Sequence, residues 1–72
     1  MPLVQVSVVE GAFSPKEKQA IIERVTDAMV DVTGESLRAA TWVTIEEVAD
    51  WGIAGKTIRA SDVAAMRGIP SS

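Results

Sequence analysis

The sequence predicts an α+β subunit built on a single βαβ unit, and three observations support that class. A β-branched run near the N-terminus, a capped amphipathic helix and a second β-branched run follow one another with short joints. Strand, helix and strand in that order give two parallel strands joined by a right-handed crossover. A C-terminal hairpin or loop and a tail complete one domain, residues 1–72, with 69–72 expected to fray.

The first strand spans Leu3–Val9. Val4, Val6 and Val8 fall on one face, and Leu3, Gln5, Ser7 and Val9 on the other. Gly11-Ala12-Phe13 interrupts it. In "SPKE", Ser14 is placed to cap a helix, Pro15 fits its first turn and Glu17 completes a capping box. From Pro15 to Thr33 the apolar residues Ile21, Ile22, Val25, Ala28, Met29 and Val32 form a stripe of helical period. Gly34 suits the position just past the helix end. Val30 falls opposite the stripe, and reads as an exposed valine or as a contact between subunits.

After the connection "ESLRAA" comes the second strand, Thr41–Val48, with the sequence "TWVTIEEV". "DWGIAGK" sets Gly52 and Gly55 around an apolar pair, which suggests a tight hairpin or loop. "SDVAAMRG" predicts one short helical turn, capped by Ser61 and ended by Gly68.

A chain of 72 residues buries only about 60% of its unfolded surface, so its own core is marginal. With no cysteine, disulfides and thiolate zinc sites are excluded as staples. Yet 47% of the residues are apolar, more than a lone small core needs. A two-stranded parallel sheet is also rarely stable alone, and its open edges invite further strands. Both arguments predict a homo-oligomer in which sheets extend across subunits.

The net charge of −3, with the basic residues scattered, argues against a nucleic-acid partner. Gln5, Ser7 and Glu10 interrupt the N-terminal apolar run, which rules out a signal peptide, and no stretch approaches the ~20 apolar residues of a membrane span. A soluble, cytoplasmic protein is expected.

Elimination narrows the chemistry. Without His or Cys, serine–histidine and cysteine–histidine catalysis are unavailable. A carboxylate metal site would draw on Glu46, Glu47 and Asp50, but adjacent strand residues point to opposite faces, and a solvated strand end explains them better. "GIAGK" lacks the spacing of a phosphate loop. No cofactor is therefore expected.

The remaining candidate for a neutral-pH base is an amine. An α-amino group titrates at about 7.7–8.0 in model peptides, closer to neutrality than lysine. Removal of Met1 would turn Pro2 into a terminal secondary amine, somewhat more basic than that. Apolar walls and a nearby cation would favour its neutral form. Trp42 and Trp51 are candidates for such walls, or else pack in the core or an interface.

The Met-Pro start, the strand ending "EG", the capped helix, the second strand and "WGIAG" together resemble the 4-oxalocrotonate tautomerase family. The resemblance implies a catalytic Pro2, general base and acid in keto–enol tautomerisation of a small enol or keto acid. It also implies βαβ subunits paired into dimers, three dimers to a hexamer, with active sites at subunit interfaces. Trp51 matches the family's pocket-wall aromatic, and Gly52, Ile53 and Gly55 match the stretch that follows, with Ala54 replacing a glycine.

Two departures stand out. The family's substrate-binding arginines fall at Ala12 and Trp42. Arg38 and Arg59 are the candidate substitutes, and each also reads as an ordinary surface arginine. The resemblance therefore implies a substrate other than the usual dicarboxylate. A non-catalytic or partner-dependent subunit of a tautomerase-fold hetero-oligomer is the alternative.

Overall fold

The computed structural model describes residues 1–68. Strand β1 is Leu3–Val9, helix α1 is Pro15–Thr33 and strand β2 is Trp42–Val48, with a 3-10 segment, Glu35–Ala40, between helix and second strand. Strands β3 (Trp51–Ile53) and β4 (Lys56–Ile58) form a hairpin, and helix α2 (Ala60–Met66) follows. The expected fraying of 69–72 lies outside the described residues.

β1 and β2 pair in parallel, in register from Leu3 opposite Trp42 to Val9 opposite Val48. β3 and β4 make a separate antiparallel pair. The βαβ reading is therefore right in order, direction and nearly every boundary.

The helix start follows the sequence closely. The Ser14 hydroxyl accepts from the Glu17 N–H at 3.1 Å, and the Glu17 carboxylate accepts from the Ser14 N–H at 3.0 Å. Two otherwise unpaired donors are thus satisfied where Pro15 needs none. At the far end the Gly34 N–H reaches the Val30 carbonyl at 2.8 Å, and Gly34 takes φ +105°.

Three differences from the sequence reading are informative. Val30 is not an exposed valine; it is the most buried residue described, at 4% exposure, while Val32 from the apolar stripe is 83% exposed. The 3-10 segment packs against α1, and Arg38 within it reaches Asp27, one helical turn before Val30. Strand β2 and the 3-10 segment both pack on α1, and the flank they cover includes Val30, which helical periodicity read as solvent. Thr26 adds to the shift: its hydroxyl donates to the Ile22 carbonyl at 2.7 Å, which lets a polar residue sit half-buried beside the sheet.

The second difference is that "ESLRAA" is a 3-10 segment rather than a plain connection. The third is α2, which is longer than one turn and begins before Ser61. Its start is capped by Asp62, whose carboxylate accepts from the Arg59 N–H at 2.8 Å. Gly68 does follow its end, at φ +72°.

The core is small. Among the described residues only Val8, Val9 and Val30 are buried. Val8 and Val9 point to opposite faces, so the C-terminal end of β1 is covered on both sides. The chain returns to that end after the hairpin, where Ala60 approaches Gly11.

Candidate active site

Pro2 stands at the head of β1, and its carbonyl accepts from the Trp42 N–H at 3.0 Å. The parallel register brings Trp42 beside Leu3, so the indole lies one residue from the proline along the ladder. Both side chains lie on the sheet face away from α1 and are exposed, Leu3 at 54% and Trp42 at 55%. Pro2 itself is half-buried.

Trp51 and Arg59 lie together elsewhere. Trp51 pairs with Ile58 across the base of the hairpin, and Arg59 is the next residue along the chain. An Arg59 guanidinium N–H donates to the Ala49 carbonyl at 3.3 Å, and among the described residues it has no carboxylate partner. The other cation of the hairpin, Lys56, shares with Asp50 the lining of a 270 Å³ cavity. The length of β2 separates the two clusters, about 20 Å for the six steps from Trp42 to Val48 at roughly 3.3 Å per residue. Within one subunit, then, the candidate residues Pro2 and Trp42 lie at one end of the sheet and Trp51 and Arg59 at the other, as two candidate half-sites.

Arg38 sits near the Pro2 end but its charge is engaged. Its Nε donates to Glu35 at 2.7 Å and its Nη1 to Asp27 at 2.8 Å. These bonds push the guanidinium's pKa further up and hold the Glu35 carboxyl below its usual range. The Glu35–Arg38 spacing is a helical pair readable in the sequence. Asp27, eleven residues away, is not.

Glu46 and Glu47 face opposite sides of β2, as alternation requires. The Glu47 carboxylate accepts from the Gly11 N–H at 3.2 Å and pairs with Lys18 at 3.4 Å, tying the turn after β1 to the helix. It is a structural group. Glu46 is exposed on the open face. Ala12 lies in the turn at the end of β1 opposite Pro2. Among the described residues no three metal-ligating side chains cluster, and no helix is long and apolar enough to cross a membrane.

A larger cavity, 460 Å³, opens between α1 and the segment after α2. Phe13, Ala20, Ile21 and Val25 line it, with Arg67 bonded to Glu17 and lying 5.1 Å over the Phe13 ring. It borders the N-terminal half of α1, away from Pro2.

The family model for tautomerase enzymes matches residues 2–61, which contain both half-sites. The chain belongs to the tautomerase family. The 2-hydroxymuconate tautomerase of Comamonas testosteroni is 39% identical over 56 residues, covering 76% of this chain and 87% of that protein. Among solved structures, TomN, a 4-oxalocrotonate tautomerase homologue in the tomaymycin biosynthetic pathway, is 33% identical with a TM-score of 0.70, over 97% of this chain and all of that one. DmpI from Helicobacter pylori is 32% identical with a TM-score of 0.65, covering 78% and 94% of the respective chains. The fold is thus the tautomerase βαβ fold.

Proposed function

We propose that this tautomerase-family chain catalyses keto–enol tautomerisation of a small enol or keto acid, with the secondary amine of Pro2, freed by removal of Met1, as base and then acid. The amine takes a proton from the enol hydroxyl or an acidic carbon and returns one to the carbon that becomes saturated. No His or Cys competes for that role in the chain. The observation that carries the reading is the pairing of Pro2 with an exposed Trp42 at an open sheet end.

The separation of the half-sites supports a pocket completed by a second copy, which would bring its Trp51 and Arg59 against Pro2. Oligomerisation through the exposed flank of α1 with Ala28 and Val32, and through the free edges of β1 and β2, fits the small core. A hexamer of three dimers in the cytoplasm, free of any cofactor, is the arrangement this reading takes.

Pro2→Ala tests it on protein shown by intact mass to lack Met1. A loss of about 100-fold or more in kcat/KM on phenylenolpyruvate is expected. Unchanged turnover in that variant rejects Pro2 as the base. The engagement of Arg38 by two carboxylates favours one second reading, a subunit whose hetero-partner supplies the cations. Activity of the isolated chain would exclude it.

A further inference from the structure

We propose that the pocket at Pro2 takes an amphipathic monocarboxylate, an enol or 2-oxo acid with an aryl or branched alkyl tail, and that Trp42 determines this specificity. The inference rests on the proposed site at Pro2 and adds the substrate class.

The surface that one subunit presents beside Pro2 is apolar. Leu3 and Trp42 are neighbours in register, and both side chains are more than half exposed on the open face. An indole left in solvent at a strand end gains by stacking on a flat or branched apolar group.

The nearest cation offers a second carboxylate no free donor. Arg38, the basic residue nearest Trp42 in the sequence, is bonded to both Glu35 and Asp27, so the three side chains together carry −1. A substrate tail bearing a carboxylate would meet an apolar wall on this face, while the guanidinium of Arg38 is held by carboxylates on the helix side.

The anchor proposed for an anion comes from the other half-site. Arg59 keeps guanidinium donors free of any carboxylate among the described residues, and it directly follows Ile58, the strand partner of Trp51. Lys56 lines its cavity together with Asp50, so a carboxylate there would face a carboxylate as well as an ammonium. Arg59 of the partner subunit therefore binds one carboxylate at the reacting end, in the paired geometry a guanidinium favours. Trp42 receives the other end. One free guanidinium and one exposed indole per pocket select a molecule with one carboxylate and one apolar tail.

Calorimetric binding to the full chain lacking Met1 tests the inference without turnover. The probes are 3-phenylpropionate and adipate, similar in length with one and two carboxylates. The wild-type protein is expected to bind 3-phenylpropionate at least ten-fold more tightly. Trp42→Phe keeps that order, and Trp42→Arg reverses it. Equal or tighter binding of adipate by the wild type, or an unchanged ratio in Trp42→Arg, overturns the proposal. Turnover of phenylenolpyruvate and 2-hydroxymuconate is the second arm. If Pro2→Ala remains active while the binding order holds, the base assignment fails and the substrate class stands. If Pro2→Ala is inactive and adipate is preferred, the reverse is concluded.

Discussion

Replacing valine by alanine at positions 30 and 32 is expected to act in opposite directions, although the two lie one residue apart on the same helix. Val30 is 4% exposed, and Val32 is 83% exposed. Val30→Ala removes two methyl groups from a packed site, about 1.6 kcal/mol at roughly 0.8 kcal/mol each. Incomplete collapse of the space adds to that loss. Alanine's higher helix propensity returns up to about 0.6 kcal/mol. The net expectation is a loss of about 1–2 kcal/mol.

At Val32 the burial contribution vanishes in the subunit and propensity alone remains, so Val32→Ala stabilises the subunit fold by up to ~0.5 kcal/mol. Any contact Val32 makes with another copy would weaken at the same time. Urea unfolding followed by circular dichroism at several protein concentrations separates the two effects, because only assembly depends on concentration. Equal, concentration-independent losses at both positions would refute the reasoning, as would a Val30→Ala midpoint identical to wild type.

The hairpin and the helix start give two further predictions. Ala54 occupies a left-handed conformation, φ +52°, ahead of Gly55 at φ +81°. Asparagine enters that region more readily, so Ala54→Asn should raise the thermal midpoint, by up to about 1 kcal/mol of stability; a lower midpoint contradicts the strain argument. The Glu17 carboxyl is held down at about 2 from 4.5, first by the hydrogen bond from Arg67 and then by that from the Ser14 N–H. A depressed folded pKa gives stability that is present above pH 4.5 and lost as pH falls towards 2. Acid titration of Glu17→Gln, which keeps a capping acceptor but no charge, should show a shallower loss across that window, and an unaltered slope there would rule the linkage out.

The proposed chemistry is partly legible from single residues. Pro2 stood out because no other group in a His-free, Cys-free chain begins near neutral pKa, and the resemblance of its surroundings to one family was enough to name it. Trp42 and Trp51 were both visible as candidate walls. Their separation by the length of β2 was not, because a list of residues carries no distances. The engagement of Arg38 was half-legible: Glu35 lies at a helical spacing from it, but Asp27 reaches it only because the 3-10 segment folds back on α1.

By itself the sequence determined whatever depends on neighbours along the chain. The strand Leu3–Val9, the capping box at Ser14 and Glu17, the stop at Gly34 and the parallel crossover all follow from local patterns of a few residues. Only the tertiary structure decided which flank of α1 is core, that Glu47 ties a distant turn to the helix, and that the candidate site is divided between two ends of the sheet. The physical reason is the same in each case. Burial and ion pairing depend on which surfaces meet after the chain has turned back on itself, and helical or strand periodicity describes each surface before it has met its partner.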